Sequence, residues 1–84
     1  MTARPQFATT TVGDRTRVLA SGAWTTDHAE ALAALVDATP APARAAEIDV
    51  GGVERLDTYG AWLIERTLRQ WRQGGSHVDL AGVP

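Results

Sequence analysis

The stretch Leu56-Asp57-Thr58-Tyr59-Gly60 gathers a carboxylate, an aliphatic hydroxyl, a phenol and a glycine into one short turn, directly ahead of an amphipathic run. At the start of a helix such groups can serve three ends. A side-chain oxygen can satisfy backbone amides that the first helical turn leaves without partners. The same amides, at the positive end of the helix dipole, can receive an anion or a phosphate carried on the hydroxyl. The exposed side chains can also be read by another protein. Thr58 is placed to cap the helix through its hydroxyl, a role that stabilises by about 1 kcal/mol, or to accept a phosphate. Asp57 either bonds the turn amides or orients a cation on a partner. Gly60, in the first helical turn, is expected to serve close packing. Trp62 falls beside Tyr59, so the two either form an exposed aromatic anchor of the kind that dominates interfaces or pack beneath a neighbouring loop.

The remaining reactive groups offer less. His28 and His77 are far apart and have no second ligand at a metal-binding spacing. Ser21 and Ser76 lie outside any nucleophile-elbow context, and Gly51-Gly52 is not followed by the Lys-Ser/Thr of a phosphate loop. No catalytic residue, metal ligand or cofactor is assigned. Arg66, Arg69 and Arg72 form a basic stripe beside Glu65, which reads as a solvated face or as a surface for anionic lipid headgroups or an acidic partner.

The elements that hold this turn follow from periodicity. Gln6–Val12 is Thr-rich and β-branched, and Arg15–Trp24 alternates, so the two predict a hairpin about Gly13-Asp14. Thr25-Thr26-Asp27 supplies a hydroxyl cap and an acid at the start of a first helix over residues 27–38. That helix has Ala31, Leu32, Leu35 and Val36 on one face and ends at Pro40-Ala41-Pro42. A third strand that begins over residues 46–50 and reads on to Leu56 as a buried strand, and a final strand over residues 76–80, bracket a second helix from Thr58 to Gln73. Its apolar stripe is Ala61, Ile64, Leu68 and Trp71, and Gly74-Gly75 ends it as a left-handed cap. Trp24, closing the second strand, reads as a lid over the core. The order β-β-α-β-α-β predicts an α/β fold, one mixed and mostly parallel sheet with helices on one face. The Asp57–Gly60 turn then lies at the carboxyl end of a strand, where ligands and partners meet such sheets.

A chain of 84 residues supports one domain, assigned to residues 1–84. The net charge of −2 argues against nucleic acid, which needs clustered cations. The absence of cysteine removes disulfides and thiolate chemistry and fits a reducing compartment. No apolar run approaches the roughly eighteen residues of a membrane span, so the expected location is cytoplasmic.

The motif Val53-Glu54-Arg55-Leu56-Asp57-Thr58-Tyr59-Gly60-Ala61-Trp62-Leu63, set between a strand and an amphipathic helix, resembles the STAS domains of sulfate transporters and anti-sigma factor antagonists. Together with Gly22-Ala23-Trp24-Thr25, it is most similar to the STAS segment ahead of MlaE-type permeases, the membrane subunits of bacterial lipid-transport ABC transporters. The resemblance implies a non-catalytic interaction module that contacts the transporter's ATPase subunit, on the cytoplasmic face of the inner membrane. In the antagonists the turn reads Asp-Ser-Ser-Gly, and a kinase phosphorylates the second serine. Here Tyr59 stands at that place, while Thr58 matches the first serine. The resemblance therefore implies partner binding through Asp57, Thr58, Tyr59, Gly60 and Trp62. Its alternative is a free-standing antagonist partnered by an anti-sigma factor kinase and phosphorylated at Thr58. A third reading is a module for an anionic ligand or nucleotide at the helix start. The family adds a helix after the last strand, whereas this sequence stops at Gly82-Val83-Pro84. It is thus expected to be an N-terminal fragment, with any membrane segment beyond Pro84 and with self-association into a homodimer through the uncovered apolar area.

Overall fold

The computed structural model describes residues 4–42 and 45–83. The ends of the expected domain, residues 1–3 and Pro84, and whatever the expectation assigned beyond Pro84 lie outside the described residues.

Strand β1 (Gln6–Val12) and strand β2 (Arg15–Trp24) pair antiparallel, with Val12 opposite Arg15 across the two-residue turn. Gly13 alone has positive φ in that turn, +60°. This is the Gly-first hairpin type, so the order Gly-Asp suits it as Asp-Gly suits the other. A 3₁₀ turn (Thr26–His28) leads into helix α1 (Ala29–Asp37). Strand β3 (Ala45–Leu56), helix α2 (Thr58–Gln73) and strand β4 (His77–Ala81) complete the chain. The sheet order is β1-β2-β3-β4, with β2, β3 and β4 mutually parallel.

The hydrophobic pattern fixes which face of the sheet the helices cover. Phe7, Val18, Ala20, Ala46, Ile48 and Val78 point to one side and join Leu32 and Val36 of α1 and Leu63, Ile64, Leu68 and Trp71 of α2 in a single core. On the other side Arg17 and Glu47, register partners on adjacent strands, form an ion pair at 2.6 Å. Trp24 is wholly buried in the core and donates its indole N–H to the carbonyl of Ser21. It is a central packing residue as well as the end of β2.

Two expectations are corrected and a third is refined. The third strand runs to Leu56 as expected, but residues 51–56 are exposed or half-buried and not the end of a buried strand. Its pairing with β2 slips between Leu19 and Ser21 and again between Gly22 and Ala23, each time with an additional residue on β3. Glycines and bulges of this kind break the alternation from which the buried face of a strand is read. The buried stripe of α2 is Leu63, Ile64, Thr67, Leu68 and Trp71, while Ala61 is exposed. Thr67 is tolerated inside because its hydroxyl donates to the Leu63 carbonyl one turn back, at 2.8 Å. The left-handed cap expected at Gly74-Gly75 is present, with Gly74 closing the helix and Gly75 carrying the positive φ, +99°. Ser76 N donates to Trp71 O and Gly75 N to Arg72 O, the paired bonds of a Schellman ending.

Strand β4 pairs with β3 only as far as Asp49. The second half of β3 therefore has an open flank on the helix side. There Val50, Val53, Leu56, Ile64, Leu80 and Val83 line a groove of about 480 Å³.

Candidate functional site

The corner between β3 and α2 is built around one carboxylate. Asp57 is extended (φ −116°, ψ −174°) and is the N-cap of α2, its Oδ1 accepting from Gly60 N at 3.0 Å. Its other oxygen, Oδ2, accepts from Thr26 N at 2.8 Å and from Thr26 Oγ1 at 2.9 Å. Asp57 N in turn donates to Trp24 O at 3.3 Å. One side chain thus ties the start of α2 to the 3₁₀ turn that opens α1. The amides of Thr26 and Gly60 hold its carboxyl below the ordinary value of 3.8, since they favour the charged form; partial desolvation opposes them and loses.

This arrangement corrects the cap assignments. The residue capping α2 is Asp57, so Thr58 is the first helical residue, exposed, with its hydroxyl outside the capping network. Thr25 makes no side-chain cap at the first helix either. The acceptor for Thr26 comes from 31 residues away. Nor is the Gly60 amide left without a partner for an anion: it donates to Asp57 Oδ1, and Gly60 itself is buried. A β-carbon at Gly60 would run into the backbone carbonyl of Trp24, with the carbonyl carbon at 2.8 Å and Leu56 Cδ1 at 3.0 Å. Close packing is therefore the reason for glycine here.

The expected site residues do come together. Asp57 and Tyr59 are half-buried, Thr58 is exposed, and Trp62 is 50% exposed. Tyr59 lies against α1, its hydroxyl 3.4 Å from the Ala29 carbonyl, and its ring stands 5.8 Å from that of Trp62. Trp62 is thus on the surface beside Tyr59 and not beneath a loop.

The basic stripe expected along α2 separates into three environments. Arg69 pairs with Glu65 at 2.8 Å, and Arg72 Nε donates to the Val78 carbonyl at 2.9 Å. Arg66 instead lies over the Trp62 ring, 5.1 Å from its centroid. Sequence reasoning missed both Thr26 as the partner of Asp57 and the stacking of Arg66. The spacing of Tyr59, Trp62 and Arg66, three and then four residues apart, was the available signal for the second. Among the described residues no group of His, Asp and Glu could hold a metal ion, and no helix is long and apolar enough to cross a membrane.

A mixed four-stranded sheet with two helices on one face and a capped corner at the exit of its third strand defines the architecture of a STAS-type module. Residues 7–84 match the family model described as "Mlab, STAS domain", and the chain belongs to the STAS family. The structure is similar to an anti-sigma-factor antagonist STAS domain from Rhodobacter sphaeroides, with a TM-score of 0.77 and 15% identity over 93% of this chain and 86% of that one. It is also similar to part of a structure described as Mglu, with a TM-score of 0.69 and 23% identity over 87% of this chain but only 18% of that one. At such identities the likeness concerns the fold. A comparison with curated proteins finds no match.

Proposed function

We propose that this chain is a non-catalytic regulatory module that contacts the ATPase subunit of a lipid-transport ABC transporter through Asp57, Thr58, Tyr59, Gly60 and Trp62. The observation that carries the reading is the exposed Thr58 and Trp62 on a corner held rigid by Asp57. A family model of the Mlab type over residues 7–84 supports the transporter branch. Rigidity matters because a pre-ordered contact loses less entropy on binding. Gly60 acts from within, letting α2 approach Trp24 so that Thr58 and Trp62 stand in fixed positions.

The test is co-purification of this chain with the ATPase subunit of a lipid-transport ABC transporter from the same genome. The reading predicts a complex that Thr58→Ala or Trp62→Ala abolishes while circular dichroism stays unchanged. Absence of a complex with the unaltered chain would contradict it.

A second reading, an anti-sigma factor antagonist switched at Thr58, is favoured by the likeness to the Rhodobacter sphaeroides structure and by the free position of the Thr58 hydroxyl. Phosphate at Thr58 would bring a second negative charge beside Asp57 and repel the carboxylate that ties the corner together. Incubation with an anti-sigma factor kinase and mass spectrometry tests it, a phosphorylated Thr58 being the expected product. For an anionic ligand at the helix start, the Gly60 amide is already committed to Asp57.

A further inference from the structure

We propose that Tyr59, Trp62 and Arg66 form one recognition element, and that the partner group it takes is a carboxylate flanked by an apolar side chain on an acidic peptide segment. This inference rests on the corner being a protein-contact surface and names the chemistry of what it contacts.

Three observations converge on it. Tyr59, Trp62 and Arg66 follow one another along one flank of α2, ring to ring at 5.8 Å and guanidinium to ring at 5.1 Å. These residue types carry a disproportionate share of binding energy at interfaces. Trp62 holds the cation in place, so Arg66 reaches the partner with little rotamer freedom left to lose. Among the described residues Arg66 also makes no ion pair. Its Nε is shielded from solvent without an acceptor, whereas Arg69 has Glu65 and Arg72 has the Val78 carbonyl. A guanidinium without an ion pair among the described residues, covered on one side by an indole, is a place where an incoming carboxylate gains more than it would in open water.

The same observations favour a peptide over a membrane surface. An anionic bilayer is held by several unpaired cations acting together. Two of the three arginines on α2 are already engaged within the chain, and the net charge is −2. What remains is one directed cation beside two aromatic rings, suited to one acid beside one apolar group.

Selection from a displayed library of random peptides tests the inference. The expected result is enrichment of sequences with Asp or Glu next to an aliphatic or aromatic residue. An enriched peptide should shift the indole N–H of Trp62 in NMR spectra and leave those of Trp24 and Trp71 in place. Arg66→Gln should weaken that peptide roughly tenfold or more, and Arg66→Lys should recover part of the loss. No enrichment, enrichment without an acid, or an acid preference that survives Arg66→Gln would overturn the inference. So would co-sedimentation with phosphatidylglycerol vesicles that depends on Arg66. If Thr58→Ala still abolishes the ATPase complex while Arg66→Gln leaves it intact, the corner stands as the contact and the acid-binding role alone fails.

Discussion

Asp57 and Thr26, 31 residues apart, are joined twice by one carboxylate oxygen, which accepts from both the amide and the hydroxyl of Thr26 at 2.8 and 2.9 Å. Because the other oxygen caps α2 through Gly60 N, the positions of both helix starts depend on a single acid. A carboxylate in such a place stabilises the fold only while it is charged.

The pH dependence follows from that. The amides of Thr26 and Gly60 lower the pKa of Asp57 below 3.8, so its contribution is fully present above the unfolded value and lost as pH falls through the folded one. In urea denaturation, the stability difference between the unaltered chain and Asp57→Asn should be constant at neutral pH and shrink below about pH 4. A difference that grows on acidification would contradict the sign.

At Gly60 the expected effect is steric. Gly60→Ala places a methyl group against the Trp24 carbonyl, and relief requires α2 to move away from β2. Overpacking of this kind costs about 1–3 kcal/mol, read as a lower urea midpoint, with partner binding weakened because Thr58 and Trp62 move with the helix.

Thr58→Ala should do the reverse. The hydroxyl is exposed and outside the capping network, so stability should stay within about 0.5 kcal/mol of the unaltered chain. A larger loss in thermal melts would mean that Thr58 has a structural duty.

The three tryptophans give a direct optical check. Trp24 is fully buried, Trp71 is 7% exposed and Trp62 is 50% exposed. Acrylamide should therefore quench one accessible component of the fluorescence, and Trp62→Phe should remove it. Persistent quenching in that variant would place a second indole at the surface.

Much of the fold was legible because its signals are local. The alternation of Val18 and Ala20, the helical spacing of Ile64, Leu68 and Trp71, and the Gly13-Asp14 turn each act over a few residues. The extent of β3 to Leu56 was legible too, but the exposure of its second half was not, because Gly51, Gly52 and the shifts of register break the alternation from which burial is read. In the corner, the exposure of Trp62 beside Tyr59 could be anticipated from spacing on α2. The cap could not be assigned correctly, because Asp57 and Thr58 are both good capping residues and the choice is decided by Thr26, brought near only by the sheet. Likewise, three arginines in a stripe look equivalent until Glu65, the Val78 carbonyl and the Trp62 ring give each a different neighbour.

The most direct measurement is an NMR footprint of the isotopically labelled chain bound to the ATPase subunit. The account predicts that the amides of Thr58 and Tyr59, with the indole N–H of Trp62, shift or broaden most, while the open face of the sheet around Arg17 and Glu47 stays as it is. A footprint centred on that open face, with the Asp57–Trp62 segment undisturbed, would contradict the central claim.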